Sequence, residues 1–178
     1  VGTASNIAAL NITGDITIQT WVYISSLPGD WVRLIGKGDI NQRTYGLWLS
    51  TSGNILWQMY GGSGSHPVSN TQLSTGAWHH LAATRSGNTL TLYINGVVEG
   101  TTTYTTPNSS TEPLTIGSAA TFHGYLSGKL DEVEVWNKAR TQTEIQANMN
   151  NALTGSESGL VAYYKMDEGS GTSLADSS

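Results

Sequence analysis

The sequence contains no cysteine, which excludes disulfide bonds and thiolate metal sites. Its eight lysines and arginines do not cluster, so we expect neither a nucleic-acid-binding surface nor a polybasic membrane patch. No apolar run approaches the roughly 20 residues that a membrane helix needs, so membrane insertion is not expected. The chain also opens without a basic segment followed by an apolar one, so we expect a mature fragment or a piece of a longer protein.

Charged residues are scarce as well, at 12% of the sequence, whereas glycine, threonine, serine and asparagine are abundant. This composition favours β structure with many turns and argues against a helical or coiled-coil protein. The 178 residues are enough for one all-β domain with its own core. The flexible stretch at residues 61–70 is interpreted as a long loop and not as a linker, because neither side has enough sequence for a separate core. We therefore predict one domain over residues 1–178.

Alternation of apolar and polar side chains predicts short strands, most clearly at Ile16–Ile24. Asn95 and Gly96 are typical of a type I′ hairpin turn, which needs positive φ at both central residues. A capping box that begins at Thr141 predicts one short helix near residues 141–149. Strands and turns that recur roughly every 8–12 residues indicate an all-β jelly-roll sandwich of two antiparallel sheets.

Four segments, in this order, resemble the laminin-G-like branch of the concanavalin A-like jelly rolls. They are Ile-Gln-Thr-Trp-Val-Tyr at residues 18–23, Trp-His-His-Leu-Ala at 78–82, Leu-Tyr-Ile-Asn-Gly at 92–96 and Leu-Asp-Glu-Val-Glu-Val-Trp-Asn-Lys-Ala-Arg at 130–140. The resemblance covers about residues 14–149. It implies a sandwich with one concave sheet, often a calcium ion, and an extracellular module that binds glycans or other surface ligands.

The C-terminal segment at residues 159–171 resembles the opening of such a domain and not its end. Two alternatives stay open for residues 159–178. They belong to a following repeat of a tandem array, or they fold back as an edge strand of this domain. In either case we expect the chain to be part of a multidomain or tandem-repeat protein.

The resemblance also implies a structural calcium ion in contact with Asp131, which lies at the metal-associated position of the family. Calcium takes about six to eight oxygen ligands, and Asp15 is the second ligand that we predict. The alternative is that Asp131 caps its strand or pairs with Lys129 or Lys138.

The carboxylates at the start of the same strand raise the question of catalysis. Glycosidases of this fold place carboxylates at positions i, i+2 and i+4 on one strand face, so that a nucleophile and an acid stand close together. With strict alternation only Glu132 and Glu134 share a face, and position 130 is leucine. The catalytic pattern is incomplete. We therefore expect a non-catalytic module, with a polysaccharide-active enzyme domain as an alternative.

Aromatic and amide side chains in loops are the best candidates for ligand contacts, because loops carry function on rigid scaffolds. We predict ligand-binding roles for Trp31, Asn41, Tyr60, His66, Tyr104 and His123. The tryptophans within strands, including Trp78, are predicted to pack in the core, as is one of the two adjacent histidines at positions 79 and 80.

The predicted function is that of an extracellular bacterial module, lectin-like or adhesive, that binds carbohydrate or another cell-surface ligand. A spacer or protein-interaction repeat in a large surface protein is the alternative outside enzyme chemistry. The expected localisation is secreted or at the cell surface.

Overall fold

The computed structural model describes residues 2–4, 8–39, 42–119, 124–169 and 173–178. The strands, in chain order, are β1 (Gly2–Ala4), β2 (Ile16–Ile24), β3 (Val32–Lys37), β4 (Tyr45–Leu49), β5 (Ile55–Gln58), β6 (Trp78–Ser86), β7 (Thr89–Ile94), β8 (Val97–Thr103), β9 (Leu114–Ile116), β10 (Gly128–Trp136) and β11 (Leu160–Tyr164). A short 3-10 helix lies at Ala8–Leu10, and the α-helix α1 lies at Gln142–Asn148.

The strands form two antiparallel sheets. The order of the five-stranded sheet is β1-β9-β3-β4-β5, and the order of the six-stranded sheet is β11-β10-β2-β6-β7-β8. The predicted all-β sandwich with one short helix is therefore confirmed. In the described part of the chain, no helix is long and apolar enough to cross a membrane.

The core lies between the two sheets and is built from the inward side of each strand. In β2, Ile16, Ile18, Val22 and Ile24 have no exposed surface, and they belong to one cluster with side chains of the five-stranded sheet such as Trp57. Full burial of a large apolar side chain stabilises a protein by about 1.5–3 kcal/mol. The alternation seen in the sequence therefore also determines which face of the six-stranded sheet points away from the core, here called the outer face.

Helix α1 packs across this outer face. Its capping box is formed as predicted, since the Thr141 Oγ1 accepts from the Glu144 amide at 3.3 Å and the Glu144 carboxylate accepts from the Thr141 amide at 2.7 Å. Ile145 is fully buried against Ala82 of β6 and Tyr93 of β7. The helix thus brings the chain that follows it over the middle of the six-stranded sheet.

The C-terminal segment lies at an edge of the same sheet. Strand β11 pairs antiparallel with β10, with Val133 opposite Tyr164 and Val135 opposite Ala162. The Tyr163 amide donates to the Asp176 carboxylate at 3.0 Å, which attaches the last residues to the strand.

Candidate functional site

Strand β10 contains a bulge that changes which side chains share a face. Asp131 is opposite Trp21 and Glu134 is opposite Gln19, so two residues of β10 face Thr20 alone. The first of these, Glu132, has a φ of 49°, in the left-handed region that non-glycine residues rarely adopt. The prediction that only Glu132 and Glu134 share a face assumed strict alternation and is wrong here. The bulge adds Asp131 to the outer face.

These three carboxylates line a pocket of about 450 Å³ on the outer face. The other lining residues come from two further places in the chain. Strands β2 and β6 provide Trp21, Trp78 and His80, and the segment at residues 148–152, which includes the last residue of α1, provides a wall. We call this the outer pocket. It combines aromatic rings, carboxylates and asparagine side chains in one concave site.

Trp21 makes two contacts within the outer pocket, a hydrogen bond and a ring contact. The Trp21 Nε1 donates to the Met149 carbonyl at 2.8 Å, which attaches the wall to the sheet. The His80 ring meets the Trp21 ring edge-on, with centroids 5.4 Å apart. Trp78 is 43% exposed, so the prediction that it packs in the core is wrong. Its place in the alternation of β6 puts it on the outer face, where its ring lies 5.7 Å from that of Tyr23.

Glu134 is the most buried of the three carboxylates, with 5% of its surface exposed. Its Oε2 accepts from the Gln19 Nε2 at 2.7 Å and from the Trp136 Nε1 at 2.8 Å, and it lies 3.7 Å from the Arg140 guanidinium. Burial raises the pKa of Glu134 to about 7, against the opposing effects of the Trp136 hydrogen bond, the Arg140 charge and the Gln19 hydrogen bond. This carboxyl is therefore a fixed group that titrates close to neutral pH.

Glu132 and Asp131 are less buried. The Tyr163 hydroxyl donates to the Glu132 carboxylate, and burial together with this bond raises the pKa of Tyr163. The Asp131 carboxylate accepts from the Glu132 amide at 3.0 Å. Burial raises the pKa of Asp131, and the nearby charge of Asp167 acts in the same direction. Each of these carboxylates therefore has one partner that orients it within the outer pocket.

His80 is a buried polar residue in the same lining, with 2% of its surface exposed. Its Nδ1 makes no hydrogen bond to any residue that the structure describes. Burial and the charge of Arg140 together lower the pKa of His80 to about 4, so the imidazole is neutral at physiological pH. A buried polar atom without a partner costs free energy.

The two residues predicted to bind calcium lie far apart. Asp131 is opposite Trp21, whereas Asp15 precedes the first residue of β2, six residues away and so about 20 Å along an extended strand. Asp15 instead accepts from the Gly87 amide at 2.7 Å. Asp15 and Asp131 therefore cannot coordinate one ion.

The surroundings of Asp131 also supply few calcium ligands. The charge of Asp167 acts on Asp131, and among the described residues no group of three His, Cys, Asp or Glu side chains is placed to hold a metal ion. A calcium ion at Asp131 would need further oxygen ligands from carbonyl groups, amides or water. A structural calcium ion stays a prediction that rests on the family resemblance.

The residues predicted to contact ligand do not form one site. His66 and Tyr104 are in contact, with ring centroids 4.6 Å apart, and Tyr60 is 41% exposed at the start of the same loop. Trp31 lies at the opposite end of β4, because Val32 pairs with Leu49 while the Tyr60 amide donates to the Arg43 carbonyl. Asn41 and His123 lie outside the described residues. Ligand binding by these six residues stays a prediction.

The prediction of binding residues therefore missed the outer pocket. A usable signal was present, because Gln19, Trp21 and Tyr23 alternate on the polar and aromatic side of β2. Trp78 and His80 have the same spacing on β6, which pairs with β2. No comparable signal indicated the bulge or the position of residues 148–152.

Several solved structures share this fold. A proposed carbohydrate-binding protein from Bacteroides ovatus superimposes with a TM-score of 0.77 at 22% identity, over 98% of this chain and 52% of that protein. A second similar structure is domain 4 of AbnA, an extracellular arabinanase from Geobacillus stearothermophilus, solved with arabinotriose. Its TM-score is 0.63 at 20% identity, over 82% of this chain and 70% of that domain. The Trypanosoma rangeli sialidase gives a TM-score of 0.58 at 17% identity, over 75% of this chain and 22% of the sialidase. At these identities the likeness shows the fold, and this chain spans about half the length of the Bacteroides protein.

No curated protein matches the chain in sequence. The family described as the concanavalin A-like lectin/glucanases superfamily matches residues 2–146, from β1 into α1. That match confirms the resemblance found in the sequence, and the two antiparallel sheets agree with it. The chain belongs to the concanavalin A-like lectin/glucanases superfamily.

Proposed function

We propose that this chain is a non-catalytic carbohydrate-binding module of a secreted or cell-surface protein, and that the outer pocket holds its ligand. The proposal rests on the lining of the outer pocket, in which Trp21 and Trp78 lie together with three carboxylates and the asparagines at residues 148–151. Apolar faces of sugars pack on aromatic rings, while carboxylates and amides accept from and donate to sugar hydroxyls. Both kinds of partner are present within the same lining.

The size of the outer pocket agrees with a small ligand. Its volume of about 450 Å³ lies within the range of about 300–1,000 Å³ that is typical of small-molecule sites. The wall at residues 148–152 is attached to the sheet through Trp21, so the site is formed before ligand arrives. A preformed site loses little conformational entropy on binding.

The partners of the carboxylates favour binding over hydrolysis. A glycosidase needs one carboxyl group to protonate the leaving oxygen and a second to attack the sugar or to activate water. Here the Oε2 of Glu134 is occupied by Gln19 and Trp136, and Glu132 accepts from Tyr163. Such groups act as oriented hydrogen-bond acceptors.

The descriptions of two similar structures support this proposal. One is a proposed carbohydrate-binding protein, and another is a domain of an extracellular enzyme that was solved with a trisaccharide. A module of about half the length of the Bacteroides protein is consistent with one domain of a longer secreted or surface chain.

A glycan array followed by calorimetry on its best ligand tests the proposal. The variant Trp78→Ala removes an exposed ring of the outer pocket, and we expect affinity to fall about fivefold to tenfold from the loss of one aromatic contact. Tyr125→Ala is the matched control, because Tyr125 is exposed and does not line the pocket. Absence of binding on a broad array, or full affinity in Trp78→Ala, would contradict the proposal.

A further inference from the structure

We infer that the outer pocket selects sugars that carry a protonated amine, such as oligosaccharides of glucosamine with free amino groups. This inference rests on the proposed function and names its ligand class. It is carried by the charge of the lining, by the unused acceptor atoms of two carboxylates and by the aromatic rings beside them.

The lining of the outer pocket is acidic. It contains Asp131, Glu132 and Glu134, and no lysine or arginine among the described residues lines it. The guanidinium of Arg140 is buried against Glu134 and is stacked on Trp136 at 4.3 Å, and Lys129 lies over the Tyr23 ring at 5.9 Å, beside the pocket residue Trp78. Arg140 is therefore held against Glu134 and Trp136, and Asp131 and Glu132 are the less buried carboxylates that a ligand meets.

These two carboxylates have acceptor capacity to spare. An ionised carboxylate offers about four acceptor positions. Asp131 uses its Oδ1 for the Glu132 amide, and Glu132 uses its Oε2 for the Tyr163 hydroxyl. Their other oxygens make no side-chain hydrogen bond among the described residues. An ammonium group has three donors and no acceptor, so it matches this set better than a hydroxyl does.

The aromatic side of the outer pocket favours the same ligand. Trp21 and Trp78 lie in the same lining as the carboxylates, and a cation over the face of an indole ring is attracted by the negative potential of that face. Aromatic rings combined with carboxylates form sites for ammonium groups, whereas a carboxylated sugar meets like charge.

His80 also lines the outer pocket. It is buried in the lining, and its Nδ1 has no partner among the described residues. A neutral imidazole adds no positive charge to the pocket, and its unprotonated nitrogen is an acceptor. The neutral His80 therefore leaves the charge of the lining acidic, which is compatible with an ammonium ligand.

Calorimetry with three oligosaccharides of equal length tests the inference at about pH 6, where the amine is protonated. The probes are a glucosamine oligomer with free amines, its fully N-acetylated counterpart and a uronic acid oligomer. We expect the free-amine oligomer to bind about tenfold tighter than the acetylated one and the uronic acid oligomer to bind weakest. Glu132→Gln and Asp131→Asn keep the side-chain shape, and each should reduce the preference for the amine to about twofold or less.

Asp15→Asn is the matched control, because this carboxylate lies outside the outer pocket and its removal should leave the preference unchanged. Equal or tighter binding of the acetylated or the uronic acid oligomer, lost in Trp78→Ala, would overturn the inference and leave the proposed function standing. Absence of binding to all three probes and to a broad glycan array would overturn both. Melting curves of each variant exclude loss of the fold as the cause.

Discussion

Replacing Glu134 with glutamine should remove a pH dependence of stability that the burial of this carboxyl creates. Burial raises the pKa of Glu134 from 4.5 to about 7, so the folded state binds the proton more tightly than the unfolded chain does. Its contribution to stability is therefore fully present below pH 4.5 and is lost as the pH rises through about 7. At about 1.4 kcal/mol per pH unit, this interval corresponds to about 3 kcal/mol.

His80 has the opposite dependence within an overlapping interval. Burial and the charge of Arg140 lower the pKa of His80 from 6.5 to about 4. Its contribution to stability is present above pH 6.5 and is lost as the pH falls through about 4. The two contributions partly cancel in the wild-type protein, so the effect of Glu134 is read from the difference between the variant and the wild type.

Urea unfolding of both proteins between pH 4.5 and about 8 measures this difference. The free energy of unfolding of Glu134→Gln, relative to wild type, should rise with pH by up to about 3 kcal/mol. Glutamine keeps an acceptor for Gln19 and Trp136. A difference in the free energy of unfolding that does not vary with pH therefore reports the change in these hydrogen bonds and not the titration of Glu134. A difference for Glu134→Gln that stays constant across the interval would refute the reasoning.

Three further predictions concern stability. Ile145→Ala removes the buried contact of α1 and should lower the free energy of unfolding by about 2–4 kcal/mol in urea, with an effect under 1 kcal/mol arguing against this packing. Thr141→Ala removes the helix cap and should cost about 1 kcal/mol, whereas Thr141→Ser should restore most of it in the same assay. If the calcium ion implied by the family is present, chelation should lower the melting temperature, by about 5–11 °C for an ion at about 100 times its Kd. An unchanged melting temperature with and without chelator would rule that ion out.

Features that depend on neighbours in sequence could be predicted from the sequence. The strand Ile16–Ile24 and the capping box at Thr141 are local patterns, and both are formed. Asn95 and Gly96 have φ values of 50° and 73°, as a type I′ turn requires. In each case the physical cause lies within a few residues, so no knowledge of the rest of the fold is needed.

The outer pocket could not be predicted in the same way. Its acidic side depends on a bulge opposite Thr20, and a single extra residue moves Asp131 to the other face of the strand. Its wall depends on where α1 docks, which is decided by a contact between Ile145 and strands more than fifty residues earlier in the chain. Trp78 was assigned to the core because tryptophan is mostly buried, but its place in the alternation of β6 puts it outside.

The positions of the six tryptophans allow intrinsic fluorescence to report on the outer pocket. Trp48, Trp57 and Trp136 are buried, so a quencher in solvent does not reach them, whereas Trp31 is partly exposed outside the outer pocket and contributes a background signal. Trp21 and Trp78 line the outer pocket, and the Trp21 indole donates to the wall that covers it. Any molecule that enters the pocket changes the surroundings of these two rings. Quenching by a cation should therefore report on pocket access more strongly than quenching by an anion of equal size, because the charged groups beside the rings are carboxylates.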